Sequence, residues 1–266
     1  MTSAADLQKE LGPEHLLLLE AVREAGALAL RYFREGVKSW EKSPDNPVSE
    51  ADLAVDRLLR EQLTAARPDF GWLSEETEDD PVRLERSHVW IVDPIDGTRA
   101  FLRGDPQFAV SAALVVDGHP VLGAVYNPAQ DELFEAMHGA GARLNGKPIA
   151  VSACTRAENA RLLASKRTFR NHDWTAVADG AEFHFVNSMA YRMAVVADGR
   201  YDATITMTNK SEWDIAAAHL IVKEAGGCVT RVDGSPITYN REHVHHDNVV
   251  AAGRTLHDVL VRGLNR

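Results

Sequence analysis

The chain has 266 residues, 45% of them hydrophobic and 26% charged, enough for one large core or two modest ones. Its formal net charge is −10, from 39 acidic against 29 basic residues, which argues against a basic face for a nucleic-acid polymer. Cys154 and Cys228 make neither a disulfide framework nor a C-x-x-C zinc site, and no apolar run approaches the roughly 20 residues that span a bilayer.

The first residues are polar and mixed in charge, with no apolar signal core, so a soluble cytoplasmic protein is expected. Over residues 15–33 the apolar positions Leu18, Val22, Leu28 and Leu30 recur at helical spacing. Residues 42–47 read as a Pro/Asp/Asn loop leading into Ser49-Glu50-Ala51-Asp52, the pattern of a helix start. Val55, Leu58, Leu59 and Leu63 give that helix its apolar face, and Pro68 marks its end. A short apolar stretch, residues 70–73, then runs into Ser74-Glu75-Glu76.

Residues 89–92 form a continuous apolar run with the character of a buried strand. Alternating stretches at 109–116, 121–126 and 132–137 follow, separated by the turn signals Asp117-Gly118 and Asn127-Pro128. This pattern predicts an antiparallel meander, closed by Gly139, Gly141 and Asn145-Gly146. Further on, strands are expected at 161–165, 183–186, 203–206 and 228–232, with helices at 188–196 and 213–225, the last closed by Gly226-Gly227. The expected organisation is an N-terminal α+β half, residues 1–146, and a C-terminal α/β half, residues 147–266, packed as one body.

Chemistry concentrates in Trp90-Ile91-Val92-Asp93-Pro94-Ile95-Asp96-Gly97-Thr98. A buried strand delivers two carboxylates, three residues apart, across a Pro-containing segment that biases Asp93 toward an extended backbone. Gly97 lets the main chain approach a ligand, and Thr98 opens a short helix whose first amides suit an anion. Carboxylates for a hard cation and amides for a phosphate thus lie side by side. Taken singly, each acid also fits a plain structural role. Asp93 and Asp96 can cap a turn, Asp52 can complete a capping box, and Asp214 can complement a helix dipole.

Together, Ser74-Glu75-Glu76, the 90–98 segment, Trp213-Asp214-Ile215-Ala216-Ala217 and Glu224-Ala225-Gly226-Gly227 resemble the inositol monophosphatase superfamily over nearly the whole chain. The resemblance implies a layered αβαβα sandwich of the inositol monophosphatase and fructose-1,6-bisphosphatase type. It also implies a lithium-sensitive phosphomonoesterase that uses two Mg2+ ions, or three. In it, Glu75, Asp93 and the carbonyl of Ile95 hold the first ion, and Asp93, Asp96 and Asp214 the second. Asp52 and Thr98 match the pair that orients and deprotonates the attacking water, and the amides of Gly97 and Thr98 match the phosphate cradle. Lys42 aligns near a basic residue of that cradle, and Glu76 is the second acid of its motif. Many relatives are homodimers.

The substrate is less legible. An acidic residue shortly before the Trp-Asp motif contacts hydroxyls in inositol monophosphatases, but here that position falls on Thr206 or Met207. Arg99-Ala100-Phe101 replaces the Thr-Asn-Phe of the inositol enzymes, and Ser-Glu-Glu replaces Gly-Glu-Glu. These departures resemble bacterial 3′(2′),5′-bisphosphate nucleotidases, with Lys210 or Arg99 placed to meet a second phosphate. 3′-Phosphoadenosine 5′-phosphate is the expected substrate, against inositol 1-phosphate and histidinol phosphate, and Lys210 can equally be a solvated loop residue. A catalytically silent metal- or phosphate-binding regulator would lack one of the acids or Thr98, and all are present. His243, His245 and His246 read as an exposed polar loop rather than a transition-metal site.

Overall fold

In the computed structural model, which describes residues 4–44, 46–164 and 178–265, the two N-terminal helices lie together on one face of a seven-stranded sheet. They are α1 (Ala4–Glu35) and α2 (Glu50–Ala66), and between them runs a hairpin of β1 (Ser39–Ser43) and β2 (Asn46–Ser49). The hairpin replaces the loop expected at 42–47. Its strand β1 is exposed throughout, so it carries none of the apolar alternation by which a half-buried strand is recognised.

The sheet itself begins with β3 (Gly71–Ser74), parallel to β4 (His88–Asp96). It continues antiparallel through β5 (Ala109–Val116), β6 (His119–Asn127), β7 (Glu132–Met137), β8 (Ala142–Leu144) and β9 (Lys147–Ile149). The expected meander is present and one hairpin longer: Asn145 (φ 48°) and Gly146 (φ 76°) form a tight two-residue turn rather than an end. The edge strand β9 lies beyond residue 146, where the N-terminal half was expected to close.

The helix α3 (Thr98–Leu102) follows β4. Beyond β9 comes a second sheet, formed by β10 (Arg161–Leu163), β11 (Glu182–His184), β12 (Ala203–Thr206), β14 (Gly227–Thr230) and β16 (Val249–Gly253). Ser165, expected in the first of these strands, lies outside the described residues. The order is β11-β10-β12-β16-β14, parallel across the first three and antiparallel at β16. A two-strand ladder joins β13 (Lys210–Ser211) to β15 (His245–His246). The remaining helices are α4 (Met189–Ala197), α5 (Glu212–Glu224) and α6 (Arg254–Leu264).

The period-2 alternation of β4 and β5 divides the core. Trp90, Val92, Ala112 and Leu114 face Leu18, Val22, Val55 and Leu59 of α1 and α2. Val89, Ile91, Ala113 and Val115 face α4 and α5, and this core runs on to Val249 and Ala251 of the second sheet. Ala203, Ile205, Val250 and Ala252 turn to the other side and bury Leu256 and Leu260 of α6. The layers therefore stack αβαβα, with α4 and α5 in the middle. Among the described residues no helix is long and apolar enough to cross a membrane.

One expectation for the second half fails. His246 is buried, paired in β15 with Lys210, and burial pushes its imidazole down to about 4. Only part of the His-rich segment is exposed, because β13 recruits it as a strand partner.

Candidate metal centre and catalytic site

In a regular strand, residues three apart point to opposite faces. Asp93 and Asp96 do not, because the β4–β5 register slips between them: Asp93 pairs with Ser111 and Asp96 with Ala109. Pro94 cannot donate to the ladder, and the resulting bulge re-aims the second aspartate. The two carboxylates and that of Asp214, at the start of α5, each bring an oxygen within 4.8 Å of the others. Both oxygens of Asp93 are buried without a hydrogen-bond partner among the described residues. A buried carboxylate left unpaired is costly, and all-oxygen donors in this arrangement suit a hard divalent cation. The residues present therefore fit Mg2+.

The electrostatics agree. Burial, then Glu75, Asp96 and Asp214, holds the Asp93 carboxyl well above the usual carboxylate range. Burial and the nearby Asp214 push Asp96 up to about 7 and Glu75 up to about 8. Glu75 lies beside the aspartate trio rather than within its 4.8 Å grouping. Lys42 of β1 reaches Glu76 at 2.7 Å and Glu75 at 3.6 Å. Burial opposes the Lys42 charge, but the bond to Glu76 and the charges of Glu75, Glu76 and Asp52 outweigh it and hold the ammonium above its ordinary value.

Asp52 occupies the third position of α2. Its Oδ2 accepts from the backbone N–H of Ser49 at 2.8 Å and from the Ser49 hydroxyl. Its Oδ1 lies 3.1 Å from the Thr98 hydroxyl, which is also 3.0 Å from the carbonyl of Ile95. One carboxylate thus closes the capping box with Oδ2 and takes the Thr98 hydroxyl with Oδ1. Asp214 repeats the device: its Oδ2 accepts the Ser211 N–H at 3.0 Å while the carboxylate stands beside those of Asp93 and Asp96. Burial raises the Asp52 carboxyl above the usual range, against the lowering effect of its hydrogen bonds.

Gly97 precedes α3 with φ 97°, and a Cβ there would lie 2.9 Å from the carbonyl oxygen of Gln107. The main chain consequently turns into α3 where only glycine fits, and the first amides of a helix lack intrahelical partners.

Glu75, Asp93, Asp96, Gly97, Thr98, Arg99, Lys210 and Asp214 all line one cleft of about 320 Å3. The sequence reading did not single out Asn46, Pro47, Phe185 and Asn187 on the same wall. Nor did it find Ser188, the N-cap of α4, whose hydroxyl donates to Asp96 Oδ2 at 2.6 Å alongside the N–H of Ala190. A serine opening a helix is a visible signal, but its partner is 92 residues away. Lys210 Nζ lies 4.0 Å from Asp214 Oδ2, so it faces the site rather than open solvent.

Residues 14–265 match the model of the inositol monophosphatase family. A histidinol-phosphatase of Chlorobaculum parvum is 38% identical over 229 residues, 81% of this chain and 85% of its own. A 3′(2′),5′-bisphosphate nucleotidase CysQ of Aggregatibacter actinomycetemcomitans is 32% identical, over 85% of this chain and 88% of its own. Among solved structures, the extragenic suppressor protein suhB of Bartonella henselae aligns with a TM-score of 0.82 at 33% identity, covering 94% of this chain and 97% of that one. With that fold, that order of motifs and the buried trio of aspartates, this chain belongs to the inositol monophosphatase family.

Proposed function

We propose that the protein is a Mg2+-dependent phosphomonoesterase and that its substrate is 3′-phosphoadenosine 5′-phosphate. The observation that carries the reaction is the buried, unpartnered carboxylate of Asp93 among Asp96, Asp214 and Glu75. In this reading Glu75, Asp93, Asp96, Asp214 and the Ile95 carbonyl hold two Mg2+ ions. When bound, the ions neutralise the phosphate and lower the pKa of water. The protein does the rest. The amides of Gly97 and Thr98 orient the phosphate oxygens. The Thr98 hydroxyl accepts a proton from the attacking water as it passes its own to Asp52 Oδ1, 3.1 Å away. A carboxyl held above its usual range is a stronger base, which suits Asp52 to that task.

The substrate reading rests on the mouth of the cleft. Lys210 and Arg99 line it together with Phe185, and the guanidinium of Arg192 lies 5.1 Å from the centre of the Phe185 ring. Two cationic side chains suit a second phosphate, and an exposed aromatic ring suits a base. A histidinol leaving group carries an ammonium, which the same cations repel. Histidinol phosphate is nonetheless the second reading, favoured by the name of the 38% identical relative.

Phosphate release in Mg2+, with and without Li+, from 3′-phosphoadenosine 5′-phosphate, inositol 1-phosphate and histidinol phosphate tests both levels. The nucleotide should show the highest kcat/KM, and Lys210→Ala should lower it by about tenfold, the loss of one charged contact. A preference for histidinol phosphate overturns the substrate reading and leaves the reaction standing. An Asp93→Asn variant with full activity would overturn the reaction.

A further inference from the structure

A second cavity, of about 340 Å3, shares no lining residue with the cleft of the carboxylates. Its walls come from three parts of the fold: His119 and Pro120 at the start of β6, His219 and Lys223 one turn apart on α5, and β14 with Arg254 at the start of α6. We infer that this cavity binds a small oxyanion of the phosphate class, at a site separate from the catalytic cleft.

The side chains decide its chemistry. Every ionisable lining group except the Cys228 thiol is a histidine, a lysine or an arginine, and no carboxylate lines the cavity, in a protein whose net charge is −10. Asp258, one turn after Arg254, acts on Cys228 from outside the lining. His219 Nδ1 lies 2.8 Å from the Tyr239 hydroxyl, and among the described residues that phenol has no other partner. The phenol therefore donates to Nδ1, so the proton of the neutral ring sits on Nε2, which has no hydrogen bond among the described residues.

The cavity thus presents an imidazole N–H, an ammonium and a guanidinium, all donors. Burial first, with Lys223 beside it, pushes the His219 imidazole down to about 3, so this ring stays neutral and offers its Nε2–H next to the charged Lys223 and Arg254. β14 is the edge strand of its sheet, with no strand partner on the outer side among the described residues. The volume is at the lower end of the roughly 300–1,000 Å3 typical of small-molecule sites, which favours a compact ligand.

Cys228, half-buried in the same lining, supplies the readout. Metal-free full-length protein is titrated with inorganic phosphate, and alkylation of Cys228 is followed by mass spectrometry with Cys154 as internal control. Without Mg2+ the catalytic carboxylates repel phosphate, so protection at Cys228 reports the second cavity. At phosphate ten times its Kd, alkylation of Cys228 should slow about elevenfold, with Cys154 unchanged. In Lys223→Gln/Arg254→Gln, two exposed positions, the protection should vanish while Mg2+-dependent phosphatase activity stays. Lys223→Gln alone should weaken it partially, which covers a double variant that folds poorly. Equal protection in wild type and variants, or none in wild type, overturns the site. Neither result depends on the substrate proposed above.

Discussion

Asp56 had no assigned role in the sequence, yet it sits buried on α2 and each of its carboxylate oxygens takes a hydroxyl. Ser74 donates to Oδ1 and Thr77 donates to Oδ2 at 2.7 Å. Those two hydroxyls bracket Glu75 and Glu76, so Asp56 fixes the loop that carries the first proposed metal ligand. Groups that orient ligands from behind typically cost 10- to 100-fold in metal affinity when removed. Asp56→Ala should therefore weaken Mg2+ binding by at least about tenfold, measured by calorimetry. Wild-type Mg2+ affinity in that variant would leave Asp56 a purely structural residue. Asp93 and Asp96 stood out because strand, proline and glycine signals surround them within a few residues, while their proposed role as metal ligands, with Glu75 and Asp214, came from the family resemblance. Asp56, Ser188 and Phe185 were not, because their roles arise only when α2, α4 and the 183–187 segment dock against β4.

At the scale of elements, the decisive feature is the irregular end of β4. Pro94 breaks the ladder, Asp96 rotates into the site, and Gly97 turns the chain into α3 with no room for a side chain. Gly104 offers a control, since it also has positive φ (74°), but a Cβ added there would meet nothing within 4 Å. Both glycine-to-alanine changes carry the conformational cost of about 1–3 kcal/mol, but only Gly97→Ala adds a clash with the Gln107 carbonyl. Gly97→Ala should lower Tm further than Gly104→Ala and abolish most phosphatase activity, while Gly104→Ala keeps it. Equal effects of the two would remove the case for close approach at Gly97. Helices and apolar strands were legible from their periods. The β1–β2 hairpin was not, since its stability comes from backbone pairing and its side chains carry no alternation.

At the scale of the molecule, the proposed metal ligands come from segments far apart in the chain, and a buried connection ties those segments together. Arg83 is 2% exposed, clasps Asp79 of the acidic loop, and reaches Asn240 Oδ1 at 2.8 Å and the Arg241 carbonyl at 3.1 Å. The same two residues donate their backbone N–H groups to the buried Glu212, two positions before Asp214. The Glu75 loop and the Asp214 helix are thus linked through one guanidinium. The layered order was expected only through the family resemblance. Periodicity alone gives the elements, and nothing local says that α5 packs between two sheets.

That shared core places several carboxyls where burial raises them together, and this sets how metal and pH act on the whole fold. Glu75 rises to about 8 from 4.5, Asp96 to about 7 from 3.8, and Asp93 well above its ordinary value, all by burial first and neighbouring carboxylates second. In the unfolded chain these groups lose their protons near their ordinary values, while the metal-free fold retains them to higher pH. The folded state then binds more protons, so metal-free stability falls as pH rises from about 5 to 8. His219 and His246, held near 3 and 4, act oppositely, and their effect is confined to pH below about 6.5, where unfolded histidine gains its proton. Between pH 6.5 and 8 only the carboxyls speak. Over that interval the Tm of metal-free protein should drop by more than about 4 °C, the worth of 1–2 kcal/mol in a chain of this size. Saturating Mg2+ should remove most of the drop, because the cation replaces the protons at Glu75, Asp93 and Asp96, leaving the part owed to Glu212, which burial pushes up to about 7, and the stabilisation by Mg2+ should be larger at pH 8 than at pH 6.5. Calorimetric scans of metal-free and Mg2+-loaded protein across that range check both. A Mg2+ effect that is the same at both pH values would mean that these carboxyls are not the groups the metal engages.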